Sequence, residues 1–284
     1  TGSVCFWSWN DNIDKEEIRE QLEEFAAGRF SGVIVHSRCG LRIPYMGDEW
    51  FELYSVVIEE AKRLKLEIWI YDEDGWPSGF AGGRVTARGE DFWIKGLNFS
   101  KGGSDTGTNV VAVFRKQGAD YHRISADEST DDDLICSYAA DSNYVDLLSE
   151  KTVKVFIETT YEQYKKHFGM YFGTVIKGFF TDEPQIRTFP WSKTLADAWQ
   201  QKYDGDIRDG LYMLIEETGN WQEFRYRFRS LANELFYRSF TKQLSAWCEE
   251  NGLMLTGHFS EEDGLFAQMG TSGGVMRQYV AMQL

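Results

Sequence analysis

The feature that most constrains this chain is a repeated pairing of a short, almost wholly apolar run with a longer amphipathic one. VCFWSWN at 4–10 and GVIVHSR at 32–38 are such runs, and LEIWIYDED at 66–74 is a third. Each of the first two is followed by a helical pattern. Asp14 opens the first, with Glu17 three residues on completing a capping box, and Ile18, Leu22, Phe25 and Ala26 recur at helical spacing. Asp48 is the expected cap of the second, with Trp50, Leu53, Tyr54, Val57, Ile58, Ala61 and Leu64 on its inner face. Strands without polar alternation, separated by helices, specify a parallel sheet covered by helices.

The rhythm breaks after DGWPSGFAGG at 74–83. From 92 to 145 the chain carries FWIKGLNF, NVVAVFRK, DYHRIS and DLICSYA, separated by turns such as GGSDTGTN at 102–109 and an acidic stretch ending in Asp131–Asp133. These are the marks of short antiparallel strands, and the acidic run reads as a solvated turn. Helical spacing returns at 149 with Val153, Phe156, Ile157, Tyr161 and Tyr164, and Gly169 is the expected stop. VIKGFFTDEP at 175–184 is a fourth strand, a helical stretch with a turn covers 192–217, and a long helix spans about 222–250 before Asn251-Gly252. LMLTGHFSEE at 253–262 is a fifth strand, and VAMQL at 280–284 reads as the entry to a sixth.

The expected fold class is therefore α/β, a (β/α)₈ TIM-type barrel. Eight strands are needed for closure, and five to six are legible, so the barrel is expected to be incomplete. The division that follows is residues 1–91 as the first part of the barrel, 92–145 as a β-rich insertion after strand three, and 146–284 as its continuation, ending before closure.

A formal net charge of −15 argues against nucleic acid and anionic membrane surfaces as partners, because a polyanion is held by clustered Lys and Arg. It suits a neutral substrate, and an acidic polysaccharide would be repelled unless a local basic patch offset the charge. No apolar run is long enough to span a bilayer. Cys5, Cys39, Cys136 and Cys248 show no zinc spacing and read as free thiols, with Cys39 and Cys248 in or beside core elements. Neither HExxH, GxGxxG nor a Walker loop is present, so no organic cofactor is implied.

Active sites of α/β barrels lie at the C-terminal ends of the strands, and these ends carry polar groups in all five runs. Trp7, Trp9 and Asn10 end the first, His36 and Arg38 the second, Tyr71 to Asp74 the third with Trp76 just beyond. Thr181, Asp182 and Glu183 end the fourth, and His258, Ser260, Glu261 and Glu262 the fifth. Glu183 sits at the tip of a very apolar strand, where apolar walls would keep a carboxyl protonated and able to donate to a leaving oxygen. Alternation sends Asp182 the opposite way, as an orienting group. Glycoside hydrolysis needs a second carboxylate, and Glu261 is the first choice, with Glu262 as the alternative. Trp9, Trp76 and Trp191 are the expected apolar walls for a sugar ring. His36, Arg38, Asp72, Asp74 and His258 are the expected hydroxyl-binding groups, and Asp72 and Asp74 could also help hold calcium. GWPSGFAGG reads as a tight loop that lets backbone approach the substrate.

FWSWN, GVIVHSR, WIYDEDGWPSGFAGG, FFTDEPQ and WCEENGLMLTGHFSEE, in that order, resemble the catalytic barrel of glycoside hydrolase family 106, the α-L-rhamnosidases. The resemblance spans nearly the whole chain apart from the insertion. It implies an inverting, exo-acting enzyme that removes terminal α-L-rhamnose with calcium assistance, an acid role for Glu183, and a longer protein with the rest of the barrel and β-rich domains downstream. The expected activity is hydrolysis of a terminal glycoside, Glu183 acting as acid and Glu261 as base. The alternatives are a carbohydrate-binding barrel without turnover and a metal-dependent sugar isomerase or epimerase. An open barrel edge would also invite self-association.

Overall fold

The computed structural model describes residues 2–102 and 109–283. Two sheets organise it. Strands β1 (Val4–Trp9), β2 (Gly32–Ser37), β3 (Glu67–Asp74), β8 (Ile176–Asp182) and β9 (Met254–His258) form a five-stranded sheet in the order β1-β2-β3-β8-β9. Every pairing in it is parallel. Strands β4 (Trp93–Lys101), β5 (Val110–Gln117), β6 (Asp120–Ile124) and β7 (Leu134–Val145) form an antiparallel sheet in the order β4-β7-β5-β6. The architecture is thus mixed α/β, and all five core strands and the β-rich segment form where their sequence patterns put them. The turn at 102–109 lies almost wholly outside the described residues.

The closed barrel is not what the chain forms. β1 and β9 are the two edges of an open sheet. No strand starts at 280–282, where the backbone is in turns and irregular chain. Gln283 nevertheless lies against β9, donating its N–H to the Leu255 carbonyl (3.1 Å) and accepting the Leu255 N–H on its side-chain oxygen (2.7 Å).

The helices cover one face of the parallel sheet. In α1 (Lys15–Ala27), Asp14 caps by accepting the Glu17 N–H at 2.8 Å. The reciprocal half of the capping box is not made, because the Glu17 carboxylate takes the Gln21 amide instead. In α2 (Asp48–Leu64) the cap is Gly47, and Asp48 is the first helical residue, where its charge meets the positive end of the helix dipole. Next in the chain are α3 (Glu150–Thr159), α4 (Tyr161–Phe168), ended at Gly169, and α5 (Lys193–Lys202). The long helical stretch is α6 (Trp221–Phe236) and α7 (Lys242–Glu250), joined without a break by a π-helical turn at Tyr237–Thr241. That turn buries Ser239, whose hydroxyl donates to the Leu147 carbonyl. Two short helices, α8 (Leu265–Thr271) and α9 (Met276–Tyr279), follow β9.

Alternation along the strands divides the core. Val33, Val35, Ile68, Ile70, Ile176, Phe179 and Leu255 face the helices and belong to the main apolar core. Ile34, Trp69 and Tyr71 face the other way and pack with Val4, Phe180 and Met254 in a separate cluster. Gly178 serves this second face: a Cβ there would stand 2.5 Å from the Trp69 ring. Phe6, on the same face of the edge strand β1, is 48% exposed.

Two smaller expectations are corrected by burial. Cys39 is exposed, whereas Cys136 and Cys248 are buried thiols. The acidic run is only partly a solvated turn: Asp133 is buried, paired with Arg115 at 2.8 Å and accepting the Thr130 N–H. Arg115 holds its carboxyl down, to about 2.

Candidate functional site

The tips of β1, β2, β8 and β9 frame a cleft of about 530 Å³. Phe6 and Ser8 line it from β1, His36 and Arg38 from the end of β2, Asp182 and Glu183 from β8, and His258 from β9. Trp76 closes one side from the loop after β3.

Glu183 owes its position to a break in the strand. It follows the last residue of β8 and has φ of +46°, a left-handed conformation that costs a non-glycine residue of order 1 kcal/mol. Its N–H still donates to the His258 carbonyl at 3.0 Å, so the tip stays tied to β9 while the chain turns. Simple alternation therefore fails here, and Asp182 and Glu183 both reach the cleft instead of pointing apart. Glu183 Oε2 accepts the Trp76 indole N–H at 2.9 Å.

Asp182 is the anchor of the cleft floor. Its Oδ2 accepts the Tyr71 hydroxyl and its Oδ1 is 2.5 Å from His258 Nε2. Burial alone would raise the Asp182 carboxyl, but bonds from His258 and Tyr71 and the nearby histidine charges leave it below the ordinary value. The same bond with Asp182 raises His258, so the two stabilise each other as an ion pair. Glu262 approaches the other ring nitrogen of His258 at 3.7 Å and accepts the Tyr279 hydroxyl. His36 behaves oppositely. It is buried, stacks on Tyr71 with ring centroids 3.5 Å apart, and burial lowers it to about 4. It is a neutral imidazole near pH 7, and Nε2 at 3.3 Å from the Gly75 carbonyl places the ring proton on that nitrogen.

The loop that carries Trp76 is built around a carboxylate. Glu73 is fully buried, and its Oε2 accepts the N–H groups of Gly79, Phe80 and Ala81 at 2.8–3.0 Å. Oε1 accepts those of Asp74 and Gly82. The glycine-rich segment thus brings its backbone close to Glu73 and not to the cleft, a correction to its reading as a substrate-facing turn. Ser78 ties the loop to β8: its N–H donates to the Asp182 carbonyl, and its hydroxyl accepts the Asp182 N–H and donates to Asp72.

Of the residues singled out from sequence, the cleft gathers Glu183, His36, Arg38, Trp76 and His258. Five others fall elsewhere. Trp9 is buried on the helix side, edge-on to Trp7 and Trp50, because the indoles of β1 take the core face and leave Phe6 and Ser8 to the cleft. Asp72 also faces the core, accepting from Ser78 and Tyr161. Asp74 accepts the Ser37 hydroxyl at 2.6 Å. Trp191 lines a separate pocket. Glu261 is exposed in the turn after β9, with φ of +61°, and is not part of the cleft lining. Sequence reasoning missed Phe6 and Ser8 as lining residues. The signal was present in the alternation of β1, but the size of the two tryptophans drew attention to the wrong face. Among the described residues no three His, Cys, Asp or Glu side chains are grouped to hold a metal ion, and Asp72 and Asp74 accept from different protein partners.

No protein-family model and no curated protein matches the sequence. Among solved structures, the chain is similar to the rhamnosidase from Novosphingobium sp. PP1Y, with a TM-score of 0.62 and 13% identity. The match covers 92% of this chain and 46% of that one, so the chain spans less than half the length of that protein. At this identity the likeness is one of fold.

Proposed function

We propose that the chain carries the acid-bearing face of a glycoside hydrolase that cleaves a terminal sugar, with α-L-rhamnosides as the first substrates to test. The observation that carries this reading is Glu183: a carboxyl in a strained backbone conformation, aimed into an open cleft and held by an indole N–H, at a strand tip. Strained residues gather at functional sites, and the fold likeness to a rhamnosidase agrees with a sugar substrate. In the same reading the parallel sheet is an arc of a (β/α)₈ barrel.

Glu183 protonates the glycosidic oxygen as the bond to the leaving group breaks. Trp76 offers an indole face to the sugar ring, and Arg38 and neutral His36 stand where hydroxyls would be fixed. Inversion requires a second carboxylate to activate water from the opposite side. Glu261 does not line the cleft, and Asp182 is the other carboxyl that does among the described residues. With its oxygens committed to Tyr71 and His258, Asp182 positions the rim and is not free to take a proton from water.

The test is the Glu183→Gln variant of the protein assayed on aryl α-L-rhamnosides of graded leaving-group ability. A loss of about 10²-fold or more that grows as the leaving group worsens supports the acid role. Equal turnover of a poor leaving group by both proteins overturns it.

A further inference from the structure

Two chains of contacts lead to Glu183, and both pass through one hydroxyl. Tyr71 lies on β3, buried, between the neighbouring strands β2 and β8. From β2, His36 stacks on its ring with centroids 3.5 Å apart. From β8, Phe180 lies within 13° of parallel to it at 6.2 Å. The strand order puts these two rings on opposite sides of the phenol, which fixes where its oxygen can point. That oxygen is 2.5 Å from Asp182 Oδ2 and 2.7 Å from the Gly75 carbonyl oxygen. A phenol has a single proton to donate, so the two acceptors share it. Burial, and then the bond to Asp182, keep that proton on the phenol.

The first chain of contacts runs through the loop. Gly75 is the hinge at which β3 ends, with φ of +90°. Its N–H donates to the Ser37 carbonyl at 3.2 Å, and its own carbonyl accepts from Tyr71 and from His36 Nε2. The next residue is Trp76, whose indole N–H donates to the Glu183 carboxylate. The second chain runs through β8 and β9. Asp182, held by Tyr71 on one oxygen, meets His258 Nε2 with the other. The His258 carbonyl then accepts the Glu183 N–H. One chain therefore ends on the carboxylate of Glu183 and the other on its backbone.

We propose that Tyr71 is a positioning residue for the acid: its hydroxyl ties the Gly75 hinge to the Asp182–His258 pair and so fixes how Glu183 presents its carboxyl to the cleft. This role rests on the acid function proposed for Glu183. Tyr71 stands behind the cleft and does not line it, so it acts through Trp76 and Asp182 and not on the substrate. A misdirected reacting group slows the chemical step more than it weakens binding. Asp182 is faced by Tyr71 from β3, His36 from β2 and His258 from β9, with Glu183 beside it at the end of β8. Of these, Tyr71 can be changed without altering any charge. Without its hydroxyl, Asp182 loses one of the two side-chain bonds that hold its carboxyl down, and it takes up its proton at higher pH.

The experiment compares Tyr71→Phe and Gly75→Ala with the unsubstituted protein. Phenylalanine keeps the stacked ring and removes only the oxygen. A Cβ at Gly75 would meet nothing within 4 Å, so alanine acts there through the positive φ alone and leaves the Tyr71–Asp182 bond in place. NMR of the ligand-free protein follows the Trp76 indole N–H and the Asp182 carboxyl carbon. In Tyr71→Phe the indole proton should leave its hydrogen-bonded position and exchange with solvent about tenfold faster or more, and the Asp182 titration should move to higher pH. In Gly75→Ala the indole signal should move alone. On aryl α-L-rhamnosides both variants should lose about tenfold or more in kcat with little change in KM, and the deficit of Tyr71→Phe should deepen as pH falls. An unmoved indole signal or Asp182 titration in Tyr71→Phe, or a loss confined to KM, overturns the positioning role. If Tyr71→Phe does not fold, Gly75→Ala decides, and an unmoved indole signal with unchanged kcat overturns it. Failure of the acid role shows separately, as equal turnover by Glu183→Gln, whereas failure of the positioning role shows in the ligand-free spectra.

Discussion

At the scale of single residues, the cleft is a case of one strained backbone position changing which side chains meet. The left-handed φ of Glu183 brings consecutive carboxyls to one site, and Asp182 is then quenched by Tyr71 and His258 while the Glu183 carboxylate accepts the Trp76 indole N–H. Replacing Trp76 by alanine removes that contact and most of one wall. The expected outcome is roughly a tenfold or greater loss of affinity for the bound sugar, about 1.4 kcal/mol, with little change in melting temperature because the side chain is 47% exposed. Calorimetry with L-rhamnose measures it, and unchanged affinity would remove Trp76 from the sugar-binding wall. The Asp182–His258 pair has its own signature. His258 is raised and Asp182 lowered, so the pair contributes while the carboxylate is ionised and the imidazole protonated. Its contribution is lost as pH falls through the depressed Asp182 range and as pH rises through the raised His258 range. Asp182→Asn should therefore lower stability most at mildly acidic pH and bring the His258 titration, followed by NMR, down towards its ordinary position.

At the scale of elements, the loop after β3 is held by a buried carboxyl as well as by the packing of Phe80 and Ala81 against the core. Five backbone N–H groups converge on Glu73. Glutamine would place an amide N–H₂ against some of those donors and leave them unsatisfied. Glu73→Gln is expected to cost about 1–3 kcal/mol or more by chemical denaturation, with raised hydrogen exchange across 79–82. Exchange unchanged from the parent would show that the loop does not depend on the carboxylate. This element was only half legible beforehand. YDEDGWPSGFAGG announces a tight turn through its glycines, but the partner of those backbone groups is set by burial of Glu73, which no local pattern states. The π turn between α6 and α7 was equally hidden, since its apolar spacing continues through it.

For the whole molecule, buried acids set the pH response. Burial raises Asp72 to about 8, and Glu73 and Asp146 to about 7. Between the ordinary carboxylate range and these values the folded chain binds more protons than the unfolded one. The stability linked to them is full below the ordinary range and is lost as pH rises through 7–8. Asp133, held low by Arg115, works the other way and loses its contribution only as pH falls towards about 2. The melting temperature should fall between pH 6 and 8, and Asp146→Asn should flatten that fall while keeping the acceptor for the Leu148 N–H. A slope unchanged by the substitution would mean that Asp146 is ionised throughout. The open sheet makes a separate prediction. β1 is an edge with Phe6 exposed, and unpaired strand edges template association. Size-exclusion at rising concentration should show dimers or larger species, and a monomeric profile throughout would count against it.

The sequence by itself determined the elements and their order. Continuous apolar runs specified buried parallel strands, helical spacing specified their covers, and the interruption at 92–145 specified a separate antiparallel sheet. It also determined that polar groups would collect at the strand tips, because polar residues ended each run. The tertiary structure alone decided which of those groups meet. Whether Trp9 or Phe6 faces the cleft depends on a period-two alternation that a run of aromatics does not display. Whether Glu183 opposes or accompanies Asp182 depends on one backbone angle. Whether Glu261 reaches the cleft depends on where β9 ends, and whether the sheet closes depends on which strands find hydrogen-bonding partners in space. Local patterning fixes what a segment can bury, and only long-range packing fixes what it buries against.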